Sequence, residues 1–77
     1  MRLSEFDRAL IDEFGDAYGR SLLRDVVIGS LGDRTAREAL DAGESPKRVW
    51  LELCREMGVP QERWYGVGRL DPRERAR

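Results

Sequence analysis

The sequence predicts an all-α fold: a compact bundle of four short helices followed by a charged tail. Apolar residues recur three and four positions apart in four separate segments, which is the periodicity of amphipathic helices. Glycines follow these segments, and a Ser-Pro pair begins the last of them, as expected at helix boundaries. The 77 residues allow one domain, predicted over 1–65, with 66–77 as a disordered charged tail.

The first two helices are predicted over residues 5–14 and 16–28, with Gly15 between them. Ser4 is the expected N-cap of the first helix. Its apolar face is formed by Leu3, Phe6, Leu10 and Phe14. The β-branched run 26–28 is also typical of a strand. Because the run is short and no partner strand is evident, we assign it to the second helix.

The third helix is predicted over residues 36–42, after a loop that contains two glycines. Thr35 and Glu38 have the spacing of a capping box, in which each side chain bonds the other residue's backbone N–H. The apolar stripe of this helix is narrow and built from small residues, which allows a neighbouring helix to approach closely.

The fourth helix is predicted over residues 46–57, because Ser45 is a good N-cap and proline is favoured at the first helical position. Gly58 ends it. Residues 61–65 are compatible with one further turn. The core predicted from these apolar faces consists of Phe6, Leu10, Phe14, Leu22, Val26, Leu40, Val49, Trp50 and Leu53.

Residue usage argues against an enzyme. The chain has no His, so the commonest general base and the nucleophilic sites that depend on it are absent. Cys54 is expected late in a helix, where the helix dipole disfavours a thiolate, and its predicted role is to fill core space. We therefore expect no catalytic residues, no metal and no cofactor.

Glu52 and Glu56 form a neighbouring carboxylate pair on the fourth helix, since they lie four residues apart. Such a pair suits acid–base chemistry or metal binding. The nearby Arg48 and Arg55 favour ordinary ion pairs on the helix surface instead.

Helices three and four have the order of a helix-turn-helix, with Gly43 in the turn. In this alternative the fourth helix would read DNA through Lys47, Arg48 and Arg55. Glu38 and Glu52 stand where such motifs favour apolar residues, and residues 44–57 carry three basic and three acidic side chains. Since DNA affinity rests largely on neutralising phosphates, specific nucleic-acid binding is not expected.

The aromatic and basic residues near the end of the predicted domain are the better candidates for contact with a protein partner. Tryptophan and arginine are enriched at binding hot spots. These candidates are Arg63, Trp64, Tyr65 and Arg69.

A cytoplasmic location without membrane insertion is expected. The longest apolar run is 26–28, whereas a membrane span needs about 20 residues. The N-terminus has no apolar signal region, and the single Cys54 does not form an internal disulfide. Neither observation indicates the oligomeric state, which stays open.

Several short motifs, by their order and spacing, resemble one known family. They are Met1-Arg2-Leu3-Ser4-Glu5-Phe6, Phe14-Gly15-x-Ala17-Tyr18, Arg24-Asp25-x-Val27, Leu31-Gly32-x-Arg34-Thr35, Ala39-Leu40-x-Ala42-Gly43, Val49-Trp50 and Val59-Pro60. Over residues 1–63 the chain resembles a small actinobacterial family, domain of unknown function 3046.

The resemblance implies a helical fold and supplies no recognised catalytic residues. Genes of this family often lie beside those for the recombinase RecA and its modulator RecX, which implies an association with recombination or DNA repair. We therefore expect a non-catalytic protein-interaction or regulatory module with an unidentified protein partner. DNA binding through residues 36–57 is the alternative, and an enzyme ranks third.

Overall fold

The structure, a computed structural model, describes residues 1–64 and is mostly helical. Its four α-helices are α1 (Leu3–Phe14), α2 (Asp16–Asp25), α3 (Ala36–Asp41) and α4 (Pro46–Met57). Two short strands, β1 (Val27–Ile28) and β2 (Arg34–Thr35), and two 3-10 turns, Gly29–Leu31 and Gln61–Arg63, complete it. The all-α, four-helix prediction is confirmed. The predicted tail over 66–77 and the domain boundary before it lie outside the described residues.

The assignment of residues 26–28 to the second helix is wrong. α2 ends at Asp25, and Val26 has an extended backbone. β1 then pairs antiparallel with β2, which places Val27 opposite Thr35. Val27 is exposed while Ile28 is buried, the alternation of a half-buried strand. The small sheet therefore arises because the β-branched side chains do have a partner strand after the intervening turn.

The helix boundaries follow from capping. Thr35 and Glu38 form the predicted capping box, with hydrogen bonds of 3.1 and 2.9 Å. Ser45 caps α4 by accepting from the backbone N–H of Arg48 at 3.1 Å. The prediction of Ser4 as the first N-cap is wrong. α1 begins at Leu3, because Arg2 is the N-cap and donates its backbone N–H to Glu5 at 2.6 Å.

The core lies where α1 and α4 meet, with α2, α3 and the small sheet packed around them. Trp50 is fully buried at its centre, and its ring meets those of Phe6 and Phe14 edge-to-face, at centroid distances of 5.8 and 6.2 Å. The predicted core residues that are buried are Phe6, Leu10, Leu22, Val49, Trp50 and Leu53. Phe14, Val26 and Leu40 are only partly buried at its border.

Several buried residues were absent from the predicted core, most of them outside the long helices. Ile28 and Leu31 are almost completely buried because the small sheet and the turn after β1 fold against α4. None of the helices within residues 1–64 is long and apolar enough to cross a membrane.

Candidate interaction surface at the carboxyl-terminal edge

The C-terminal segment, residues 59–64, turns back along α4. Gly58 ends α4 with a positive φ of 71°, a conformation that glycine adopts without strain. Val59 then donates its backbone N–H to the carbonyl of Cys54 at 2.9 Å and is itself buried. One 3-10 turn over Gln61–Arg63 follows and brings the chain to Trp64.

Trp64 ties this segment to the core at two points. Its indole N–H donates to the carbonyl of Val59 at 2.8 Å, inside the segment. Its own carbonyl accepts a hydrogen bond from the indole N–H of Trp50. The ring of Trp64 packs against the core and stays partly accessible. The hydrogen bonds therefore hold the ring in one position while solvent reaches part of it.

Arg55 joins Trp64 at this edge. Its guanidinium carbon lies 5.6 Å from the centroid of a Trp64 ring, within the range of a cation–π contact. The same guanidinium donates to Glu52 at 2.9 Å, and the Arg55 side chain is 60% exposed. A planar cation with accessible donors therefore lies against an aromatic ring.

Arg63 connects the C-terminal segment to α1. Its guanidinium donates to the Oε2 atom of Glu13 at 3.0 Å. The Glu13 side chain is 6% exposed, whereas that of Arg63 is 50% exposed. The second carboxylate oxygen of Glu13, Oε1, is buried and has no hydrogen-bond partner among residues 1–64. Arg63 is therefore the cation that compensates this buried charge.

We call Arg55, Arg63 and Trp64 together the Trp64 surface. Arg63 and Trp64 are predicted partner contacts, and both lie on this surface. Arg55 was predicted to form surface ion pairs or, in the alternative, to contact DNA, and not to contact a protein partner. Tyr65 and Arg69 lie outside the described residues. Glu13 was missed, although its spacing of seven from Phe6 puts it on the buried side of α1.

The three residues considered for DNA binding have different surroundings. Arg48 donates to Glu44 at 3.1 Å and to the carbonyl of Ser30 at 3.2 Å. It therefore connects α4 to the turn after β1. Arg55 is engaged by Glu52 and Trp64. Lys47 lines a groove of about 250 Å³ beside the N-terminal end of α1. Two of these three cations thus already have carboxylate partners.

Glu52 of α4 has a structural role, because it binds residues of both α4 and the turn after β1. It accepts a hydrogen bond from the hydroxyl of Ser30 at 2.7 Å and from Arg55 at 2.9 Å. The Ser30 hydroxyl, with help from Arg55, lowers the pKa of Glu52 below its ordinary value. Glu52 therefore connects α4 to the turn after β1. Glu56, its neighbour one helical turn later, is exposed.

The Cys54 thiol is fully buried, on the side of α4 that faces the core. Burial, with a smaller contribution from the charge of Glu13, raises the pKa of Cys54 to about 12. The thiol is therefore protonated at neutral pH and out of contact with solvent, as expected for a residue that fills core space. Within residues 1–64, no group of three or more acidic or Cys side chains is arranged to hold a metal ion.

Comparison with known protein families shows to which family the chain belongs. Residues 1–62 match the family described as protein of unknown function (DUF3046). The chain belongs to this family. The match of the DUF3046 family spans all four helices and the small sheet and ends inside the second 3-10 turn, so Arg55 lies within it and Trp64 beyond it. Neither a curated protein nor a solved structure matches the chain.

Proposed function

We propose that this DUF3046 protein is a non-catalytic protein-interaction or regulatory module that binds a protein partner through the Trp64 surface. The observation that carries the proposal is the partly accessible Trp64 ring with the Arg55 guanidinium held against it. Tryptophan and arginine dominate binding hot spots because they combine a large contact area with directional hydrogen bonds.

The rigidity of this surface supports the proposal. Trp50 anchors the backbone at Trp64, and Glu13 anchors Arg63, so the segment is tied to both α4 and α1. A surface already held in one arrangement loses less conformational entropy on binding. The exposed guanidinium groups of Arg55 and Arg63 would then favour a partner that presents carboxylates beside an apolar pocket.

The cellular setting is part of the same proposal. A cytoplasmic location agrees with the single, unpaired and buried Cys54. An actinobacterial source and a process in recombination or repair rest on the family resemblance. A partner from recombination or repair would be the one expected on that basis.

DNA binding remains the alternative because α3 and α4 are joined by a short turn in which Gly43 has a φ of 97°. Lys47, Arg48 and Arg55 would supply its contacts. Against it, Glu44 and Glu52 offset the charges of Arg48 and Arg55, so these two arginines add little net positive charge for binding phosphates.

The deciding experiment is affinity capture from native lysate, followed by binding measurements with the purified partner. Trp64→Leu and Arg55→Gln should each weaken that binding about tenfold or more, as substitutions at a hot spot do. Arg8→Gln, an exposed position on α1, is the matched control and should bind like the unaltered chain. Partner binding that neither Trp64→Leu nor Arg55→Gln weakens would contradict the proposal.

A titration of labelled duplex and single-stranded DNA tests the alternative. We expect no specific duplex binding at physiological salt, and weak low-salt binding that disappears when residues 66–77 are deleted. Neutralising about two phosphates through that region gives a log-log salt slope near −2. Tight, sequence-dependent binding that survives the deletion and is lost in Arg48→Ala would establish the helix-turn-helix function instead.

A further inference from the structure

A groove of about 360 Å³ lies between α2 and α3, on a different part of the protein from the Trp64 surface. It is lined by Arg20, Leu23, Arg24 and Arg37. The α2 residues occupy one face of the helix because they lie three and four positions apart. Arg37 is the second residue of α3 and closes the opposite side. Leu23 is 7% exposed and supplies an apolar base.

The residues that line this groove include three arginines and no acidic residue. Arg20 and Arg37 pair with Asp16 and Asp41 on their own helices, at 2.6 and 3.8 Å. All four of these side chains are more than half exposed, so both ion pairs are weak and exchange readily. Among residues 1–64, Arg24 has neither an ion pair nor a hydrogen bond from its side chain. The groove therefore holds one uncommitted cation and two weakly committed ones.

We propose that this groove binds a phosphomonoester, with the phosphate held by Arg20, Arg24 and Arg37. The planar guanidinium fork donates two parallel hydrogen bonds to phosphate oxygens, and a phosphomonoester offers three oxygens and nearly two negative charges at neutral pH. Leu23 contacts the carbon atoms next to the ester oxygen. A volume of this size suits a small phosphorylated group. This site does not depend on the proposed function of the Trp64 surface.

A dianion fits this groove better than a carboxylate. A single carboxylate accepts one bidentate pair and neutralises one cation. Three arginines from two helices that line one groove match an ion with several oxygens and a higher charge. The weak pairs with Asp16 and Asp41 are the contacts that phosphate replaces.

The test is an NMR titration of the full chain with sodium phosphate, with sodium chloride at matched ionic strength as the reference. Saturable amide shifts confined to the regions around Arg24 and Arg37 are expected, with a Kd on the order of a millimolar for so small an ion. Arg24→Gln should weaken binding about tenfold, because it removes one charged hydrogen-bonding group. Arg8→Gln is the matched control, since it removes an exposed arginine on α1 and should leave the Kd unchanged.

Two further ligands distinguish the source of the phosphate. A phosphoserine peptide that binds more tightly than phosphate, while its unphosphorylated form does not bind, assigns the site to a phosphorylated protein segment. Adenosine monophosphate that binds more tightly than both assigns it to a nucleotide. Either result supports the site. Equal shifts with chloride, or an unchanged Kd in Arg24→Gln, would overturn the proposed site. Single-stranded DNA that outcompetes every phosphomonoester would also overturn it.

Discussion

The indole N–H of Trp50 donates to the backbone carbonyl of Trp64, so the centre of the core is bonded directly to the C-terminal segment. Trp50 is fully buried between Phe6 and Phe14. The carbonyl of Trp64 is thereby paired, and the segment is fixed against α4. The stability of the helical core and the shape of the proposed binding surface consequently depend on the same residue.

Two substitutions of Trp50 should separate the contribution of its indole N–H from that of its buried ring. Trp50→Phe keeps an aromatic ring but removes the N–H donor and some volume, so it should lower the free energy of unfolding by about 1–3 kcal/mol. Trp50→Ala should lower it by about 3–5 kcal/mol or unfold the protein. Urea unfolding followed by far-UV circular dichroism measures both. An unchanged midpoint for Trp50→Phe would show that the bond to Trp64 contributes nothing.

The Glu13–Arg63 pair gives a second prediction. Arg63→Ala leaves the buried carboxylate of Glu13 without its cation, which should cost about 1 kcal/mol, a modest value because Arg63 is half exposed. In a Glu13→Leu background there is no buried charge to compensate, so Arg63→Ala should then cost almost nothing. A double-mutant cycle from urea unfolding measures this coupling. Equal costs in both backgrounds would show that the two residues act independently.

The sequence predicts those elements whose signals are local. The capping box at Thr35 and the Ser45-Pro46 start predict α3 and α4 because the bonded groups lie within one helical turn. The pairing of Val27 with Thr35 was not predicted, since it depends on a turn at Gly32 and Asp33, both with positive φ. The β-branched run alone does not reveal that its partner lies eight residues later.

The same distinction applies to the candidate site. Arg63 and Trp64 were identified because neighbouring aromatic and basic residues are recognisable in the sequence itself. Their relation to Arg55 and Glu13 depends on how the C-terminal segment crosses α4 and α1. Arg63 and Glu13 are 50 residues apart, and no pattern in the sequence predicts that contact. Helical spacing places Glu13 on the buried side of α1 but does not identify the cation that meets it.

Cys54 should make stability depend on pH in the alkaline range. Burial raises its pKa from 9.0 to about 12 in the folded protein, so folding favours the protonated thiol. This contribution to stability is complete below pH 9 and is lost as the pH rises towards 12. The loss should approach about 1.4 kcal/mol per pH unit, since one proton is released on unfolding.

Urea unfolding at about pH 8 and about pH 10.5 measures this effect, with Cys54→Ala as the reference that lacks the thiol. The unaltered chain should lose more stability between the two pH values than the variant does. Parallel losses in both proteins would mean that groups other than the Cys54 thiol account for the alkaline destabilisation.

The last prediction concerns Gly19 of α2, which packs against Leu10 of α1. Alanine normally stabilises a helix interior by about 1 kcal/mol relative to glycine. Here a β-carbon would lie 2.9 Å from Cγ and 3.3 Å from Cδ2 of the fully buried Leu10, so the two helices would have to separate or Leu10 would have to move. Overpacking of this kind outweighs the gain in helix propensity, and Gly19→Ala should lower the unfolding free energy by about 1–2 kcal/mol.

Ala17→Gly is the matched control for this prediction, because Ala17 lies on the exposed side of the same helix. It should also lower the unfolding free energy, by about 1 kcal/mol, through backbone entropy alone. Both variants should thus destabilise the protein, Gly19→Ala through overpacking and Ala17→Gly through backbone entropy. A Gly19→Ala variant with a raised melting temperature would mean that α1 and α2 are not in close contact at Leu10.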